Sequence, residues 1–312
     1  MANNTSPKIY VIVARHGERW DYLQRDAGQG REWIESTERP WDPPLSPNGL
    51  RQATRIGQHL PTKLQELGLP PVTAVFTSPF LRCRQTACQA VEEINHNSTA
   101  TVKVQIEHGL TESLNQSWYR SWSLPGSDTT WGFSPKGTPR RELHEYSGEE
   151  LHPSSIVPVQ RILNWKDVET HDVHAVDIAS NRLLAKHQDL DYESTTSIEK
   201  EFSLKPKVIL ETKEEQEDRM YQVLEKKVLE LSSNSADTSQ TFMVVSHGGP
   251  VTHLYTKLTG NSWHSHGNSK YCCYSTYEYD PNATDIESKW KSLLVNESKY
   301  LDELWSDASA NI

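Results

Sequence analysis

Methionine and phenylalanine are scarce in this chain, with 3 and 5 residues among 312, and cysteine stops at 4. So few thiols exclude a disulfide framework. Cys83 and Cys88 fall on one predicted helix, while Cys272 and Cys273 sit side by side in a predicted strand. Neither spacing suits a bridge or a metal, and reduced structural thiols are expected. Also missing is an apolar run of roughly eighteen residues, the length that a bilayer-crossing helix needs. The polar opening MANNTSPK predicts no secretory leader. There is no basic excess either: the formal net charge is −10, which argues against a general nucleic-acid binder. A local positive pocket stays compatible with that charge, because nearby groups set the field a ligand feels. The expectation is a soluble, cytoplasmic protein with no nucleic-acid partner and no membrane partner. The Asn-x-Ser/Thr sequences at Asn97 and Asn115 then follow from a Ser/Thr-rich composition.

What is present is an alternation of strand and helix signals. Lys8–Ala14 is an almost continuous apolar run, as in a strand buried on both faces of a parallel sheet. Residues 18–44 read as an irregular excursion bearing Trp20, Tyr22, Trp33 and Trp41. Ser46-Pro47 then reads as a helix N-cap with proline at the first helical position. Apolar residues at helical spacing run from Leu50 to Leu64, with a kink or break expected at Pro61. Val72–Thr77 is a second buried strand, 80–94 a helix and Val102–Ile106 a short strand.

The segment at about 113–205 differs, being polar and rich in Pro, Ser, Trp and His. It reads as an inserted cap, partly helical near 155–165. The regular pattern resumes with a helix at 214–232, a core strand at 241–245 and a helix stopped by Gly260. YCCYSTYEY reads as the last strand. Ile286, Trp290, Leu293, Leu294, Leu301 and Trp305 share one face of a predicted C-terminal helix at about 286–305. The fold class is α/β: a three-layer sandwich with a mostly parallel central sheet flanked by helices, one domain over 1–312.

Three predicted strands end in chemically similar ways. The first runs into Arg15-His16-Gly17, the one at 241–245 into Ser246-His247-Gly248-Gly249, and Val72–Thr77 into SPFLRCRQTA, which puts Arg82 in the first turn of a helix. Ligands of open parallel sheets bind beyond the carboxyl ends of the strands, so two histidines and two arginines can converge there. Glycine after each histidine permits close backbone approach or unusual dihedrals. The set suits a phosphoryl group: guanidinium offers a planar fork to its oxygens, and neutral imidazole is a nucleophile.

RHGER, SPFLRCRQTA, EHGLTE and VVSHGG together resemble the histidine phosphatase superfamily, in the branch that includes phosphoglycerate mutases. The resemblance covers roughly residues 8–112 and 214–280 and leaves the insertion poorly matched. It implies that His16 is the phosphorylated nucleophile and that Arg15, Arg82 and His247 hold the phosphoryl group. GLTE matches the segment carrying the family's proton donor, which makes Glu112 the general acid and base, with Glu107 as its rival. Arg19 either adds positive charge at the pocket or pairs with an acidic neighbour. No metal and no cofactor is implied, because cationic side chains take the part that magnesium plays elsewhere.

Two residues apart on a helix, Arg82 and Arg84 face different ways; the spacing selects Arg82 and leaves Arg84 as a solvated charge. Ser78 is expected to make a local turn bond. His171-Asp172 resembles the proton-donor pair of the acid phosphatase branch but precedes the second histidine, and is rejected. His253, His264 and His266 with Cys272 and Cys273 fit no zinc spacing.

Within the family, ERWD after RHG and the SPFLRC helix look more like the phosphatase modules paired with SH3 domains in signalling proteins than like mutases. The leading expectation is a metal-independent phosphomonoesterase acting on a small-molecule or protein phosphomonoester. Two alternatives stand beside it. One is a catalytically weak or inactive regulatory protein of the same fold that binds a phospho-ligand. The other is a phosphoglycerate mutase-type phosphotransferase. Trp118, Trp122 and Trp131 with the tryptophans of the excursion would either rim the pocket or pack the insertion onto the core. The residues carry no sign of oligomeric state.

Overall fold

Strand β1 (Ile9–Arg15) is buried along its whole length, as its apolar run predicts. The structure is a computed structural model that describes residues 7–36, 42–96, 98, 101–112, 178–195, 211–234 and 238–304. The expected helix near 155–165 and Trp41, Trp118, Trp122, Trp131, His171 and Asp172 lie outside these residues. β1 is joined by β2 (Val72–Thr77), β3 (Val104–Ile106), β4 (Gln240–Ser246), β5 (Tyr274–Tyr279) and β6 (Trp290–Glu297) in one six-stranded sheet ordered β3-β2-β4-β1-β5-β6. β3-β2, β2-β4 and β4-β1 are parallel, whereas β1-β5 and β5-β6 are antiparallel.

Helices cover both faces. Ile12 and Ala14 of β1 pack with Ile56, Leu60 and Leu64 of α3 (Pro47–Glu66) and with Ala87, Val91 and Ile94 of α4 (Leu81–His96). Val11 and Val13 pack the other way, onto Met220, Val223 and Leu224 of α6 (Lys213–Asn234) and Val251 and Leu254 of α7 (Gly248–Thr259). The period-two alternation of β1 thus feeds two cores, and the three-layer arrangement is that expected from the strand and helix pattern. α5 (Ile178–His187) adds Leu184 to the first core. Ser46 caps α3 by accepting from the Gly49 N–H, and the helix runs through Pro61 without a break. α7 ends at Gly260 in the left-handed region, with φ 69°. No described helix is long and apolar enough to cross a membrane.

Several local expectations need correction. The excursion after β1 contains two short helices, α1 (Trp20–Asp26) and α2 (Gly30–Ser36), and buries Tyr22 and Trp33. Cys272 and Cys273 precede β5 instead of lying in it, with Cys272 at φ 51°. The predicted helix over 286–305 is a four-residue helix α8 (Ile286–Lys289), strand β6 and a 3-10 turn at Lys299–Leu304. Leu294 packs on the first core while Trp290 and Val295 pack on the second. Neighbouring residues on opposite faces are the mark of a strand, and pairing with the open edge of β5 overrides the helical spacing. Trp305 lies outside the described residues.

Parallel register is what builds the site. Arg15 of β1 lies opposite Ser246 of β4, and Thr77 of β2 lies between Val245 and Ile106 of its two neighbours. Four strands therefore end side by side, and the residues that follow them are His16, His247, Ser78 and Glu107.

Candidate active site

The backbone N–H of His16 donates to the Ser246 carbonyl at 2.9 Å, so β1 and β4 release their two histidines together. The rings meet edge to face with centroids 5.4 Å apart. Both side chains are buried. Gly17 and Gly49 permit this crowding: a Cβ on Gly17 would stand 2.6 Å from the Gly49 carbonyl oxygen, and a Cβ on Gly49 2.3 Å from that of Glu18. Their contribution is close approach rather than unusual dihedrals, since neither is among the glycines at positive φ. On the far side of the second histidine, a Cβ on Gly248 would stand 3.0 Å from the Arg15 guanidinium.

Arg82 links the two rings. Its Nε donates to His16 Nε2 at 3.3 Å, and its Nη2 lies 3.0 Å from His247 Nδ1. Guanidinium can only donate, so both imidazole nitrogens accept, and each ring carries its proton on the other nitrogen. For His16 that nitrogen is Nδ1, which donates to the Gly17 carbonyl at 2.7 Å. For His247 it is Nε2, which donates to Ser78 Oγ at 2.8 Å. His16 consequently turns a lone pair on Nε2 toward the cationic centre.

Burial, followed by the guanidiniums of Arg82 and Arg15, holds His16 well below the usual imidazole range. Burial and Arg82 do the same to His247, with His16 adding to the effect. The pair stays neutral near pH 7, the protonation state that a nucleophilic imidazole requires.

Arg15 donates from Nη1 to the Ser269 carbonyl at 2.6 Å and stacks on the Tyr271 ring at 4.2 Å. Tyr271 itself lies 5.8 Å from the His16 ring. Arg15 Nε and the Tyr271 hydroxyl are buried with no protein partner, which leaves donors beside His16 for an anionic ligand. Burial raises the Tyr271 hydroxyl, so it remains a donor.

Glu112 reaches the centre. Its Oε2 is 3.6 Å from His247 Nδ1 and 3.8 Å from Arg82 Nη2, and the side chain keeps 16% exposure. Glu107 does not. Its two oxygens accept from Tyr192 Oη, Ser194 Oγ and both the N–H and hydroxyl of Thr195 at 2.6–3.1 Å, and Lys227 Nζ stands at 3.5 Å.

Arg19 is gripped by Asp21 through Nε at 3.0 Å and Nη2 at 2.6 Å, and its Nη1 reaches Tyr22 Oη at 3.2 Å. It pairs with an acidic neighbour, as one of the two expectations held, while its charge still helps to depress His16. Arg84 is a correction: it is buried, not solvated, and donates to Gln188 Oε1 at 3.1 Å. The helix start that carries Arg82 also turns Arg84 inward, against α5 and the residues after it.

Sequence reasoning missed four residues. Ser78 holds the His247 proton instead of only closing a turn. Asp42 accepts the Leu81 N–H at 2.7 Å and sits 3.9 Å from Arg82, fixing the helix start that carries it. Tyr271 and Arg219 are the others, and only three-dimensional contact reveals them. Among the described residues no three His, Cys, Asp or Glu side chains gather as a metal-ligating set. His253 and His264 instead pack on Trp263, and His266 on Tyr255.

Residues 11–122 match the model of the histidine phosphatase superfamily (branch 1). Ubiquitin-associated and SH3 domain-containing protein A of Mus musculus is 32% identical over 123 residues, covering 33% of this chain and 19% of that protein. Sedoheptulose 1,7-bisphosphatase of Saccharomyces cerevisiae is 30% identical over 103 residues, covering 32% of this chain and 34% of that protein. The chain thus spans about a fifth and about a third of these relatives.

Similar solved structures include a phosphoglycerate mutase from Bacillus anthracis, with TM-score 0.46 and 16% identity over 96% of this chain and 97% of the other. A mycobacterial glucosyl-3-phosphoglycerate phosphatase in complex with VO3 gives 0.45 and 16%, over 93% and 99%. The fold stands on the sheet order itself and needs no support from these likenesses. The residues of RHGER and SPFLRC, gathered with those of VVSHGG at one sheet edge, lie within the segment 11–122 that matches the histidine phosphatase superfamily (branch 1) model.

Proposed function

We propose that the chain hydrolyses phosphomonoesters, of small molecules or of proteins, through a phosphohistidine on His16. The observation that carries this reading is the tautomer of His16. Nδ1–H is committed to the Gly17 carbonyl, and Nε2 is left as a lone pair facing Arg82.

In the first step Nε2 attacks phosphorus, forming the N–P bond as the bond to the ester oxygen breaks. Glu112, protonated, gives its proton to that leaving oxygen. In the second step Glu112 as carboxylate takes a proton from water, whose oxygen attacks phosphorus and releases inorganic phosphate and neutral His16. Arg82 and Arg15 stabilise the charge on the equatorial oxygens in both steps, and His247 joins them when its proton moves to Nδ1 and the Ser78 hydroxyl turns to donate to Nε2. A positioned acid and base of this kind contributes roughly two to four powers of ten in rate.

The test is turnover of para-nitrophenyl phosphate by the purified protein beside His16→Ala. Turnover that disappears in the variant, with labelled phosphate trapped on the wild type as an acid-labile, base-stable adduct, supports the reading. No turnover at any pH from about 4 to 8 would instead support a phospho-ligand-binding role. Transfer of phosphate between positions of a phosphoglycerate, in preference to water, would support the mutase.

A further inference from the structure

The loop that carries Glu112 is held from behind by a residue that touches neither histidine. Arg219, on α6, is buried, and its fork is paired with Glu211 through Nε at 2.6 Å and Nη2 at 2.8 Å. The same guanidinium donates to the loop backbone. Nη1 reaches the Gly109 carbonyl at 2.5 Å and that of Thr111 at 3.3 Å, and Nη2 reaches that of Glu112 at 3.5 Å. The carbonyl between them, of Leu110, accepts from Ser246 Oγ at 2.8 Å. Four successive carbonyls, from Gly109 to Glu112, are therefore claimed by two side chains. Ser246 is the last residue of β4, immediately before His247.

Such an arrangement fixes the direction of the backbone at Glu112. A chain whose successive carbonyls all point to fixed donors cannot rotate its peptide planes without stranding buried acceptors, each costing roughly 1–3 kcal/mol. The side chain of Glu112 leaves this backbone toward His247 and Arg82. Glu211, the anchor of Arg219, is itself buried, at the start of the described segment that leads into α6. The contacts of Arg219 run to Glu211 and to the carbonyls of Gly109, Thr111 and Glu112, and its charge acts on His247 less than burial, Arg82 and His16 do.

We infer that Arg219, braced by Glu211, is a positioning residue that sets where the Glu112 carboxyl stands relative to the leaving group. This rests on the reading of Glu112 as the acid, and the experiment separates the two. A poor alkyl leaving group needs protonation far more than para-nitrophenolate does, so the ratio of kcat on a primary alkyl phosphate to kcat on para-nitrophenyl phosphate reports on the acid alone.

Glu112→Gln is expected to lower that ratio about a hundredfold. Arg219→Met, which keeps length but no donors, is expected to lower it by about 30-fold, since misplacement by about an ångström costs on that scale. Arg219→Lys, keeping charge but not the fork, recovers part of it. Glu211→Gln keeps the guanidinium and loosens its anchor, giving a smaller fall of about five- to tenfold by the same misplacement argument. It serves in place of Arg219→Met should that variant fail to fold.

If Glu112→Gln lowers the ratio but Arg219→Met and Glu211→Gln leave it at the wild-type value, Arg219 is only structural and the inference is overturned. If Glu112→Gln itself leaves the ratio unchanged, the acid assignment falls, and the positioning role falls with it.

Discussion

Glu107 and Glu112 stand at either end of one 3-10 turn, yet the two ends differ in kind. Around Glu107 every donor is already directed at the carboxylate: two hydroxyls from the 192–195 limb, a backbone and a side-chain donor from Thr195, and the buried Lys227 ammonium. At Glu112 the preceding carbonyls and its own are held by Arg219 and Ser246, while the carboxyl remains partly exposed, within 4 Å of His247 and Arg82. One end ties the turn to the rest of the fold, and the other brings a partly exposed carboxyl up to His247 and Arg82. Sequence position alone treats them alike; what each carboxyl faces tells them apart.

The comparison can be broken in several ways. Glu112→Gln should cost about a thousandfold in kcat on an alkyl phosphate, roughly 4 kcal/mol in the barrier. Its thermal midpoint should stay within a degree or two of wild type, read by calorimetry. Glu107→Gln should do the reverse. The new amide NH2 would face hydroxyl, amide and ammonium donors, at a cost of about 2–3 kcal/mol in urea unfolding, with kcat per folded molecule held within about threefold. Equal loss of activity in both variants, at equal stability, would erase the distinction.

The histidines give a third test, through pH. Both are held well below the usual value of 6.5 in the fold, so below that pH the unfolded chain binds more protons than the native one. Their stabilising contribution is complete above about pH 6.5 and is lost as the pH falls through that value toward the depressed native ones. His16→Asn should flatten the slope of unfolding free energy between pH 5 and 6 by an amount approaching 1.4 kcal/mol per unit. An unchanged slope would mean that His16 is not held below the ordinary imidazole range in the fold.

The smallest effect is expected at Ser78→Ala, which removes the acceptor of the His247 proton. A three- to tenfold fall in kcat/KM with little change in stability is expected, in line with one hydrogen bond of about 1 kcal/mol.

Much of this site is legible in the linear sequence, because three of its parts are short, contiguous and placed where strands end. Arg15-His16-Gly17, Ser246-His247-Gly248 and the SPFLRC turn each announce an element boundary and a chemistry together. Register then does the rest, since neighbouring parallel strands end level with one another. What escapes the sequence is contact between distant segments. Ser78 is an ordinary turn residue until His247, far along the chain, lands on its hydroxyl. Glu211, just ahead of α6, and Arg219 within it carry no local sign that they meet as a buried pair. Arg84 looks solvated because helix geometry turns it away from Arg82, and nothing local shows that α5 covers it. The C-terminal strand is misread for the converse reason: its apolar spacing suits a helix, and only the open flank of β5 makes it extended.

The mutual approach of Gly17 and Gly49 has an evolutionary consequence. A methyl group on either one collides with main chain, not with a side chain that a second replacement might trim. No partner substitution can make room, so the ordinary route of paired drift is closed at this seam. The loop behind His16 and the opening turn of α3 must be inherited as a unit, and even alanine at either position should displace His16 from its place beside His247 and Arg82.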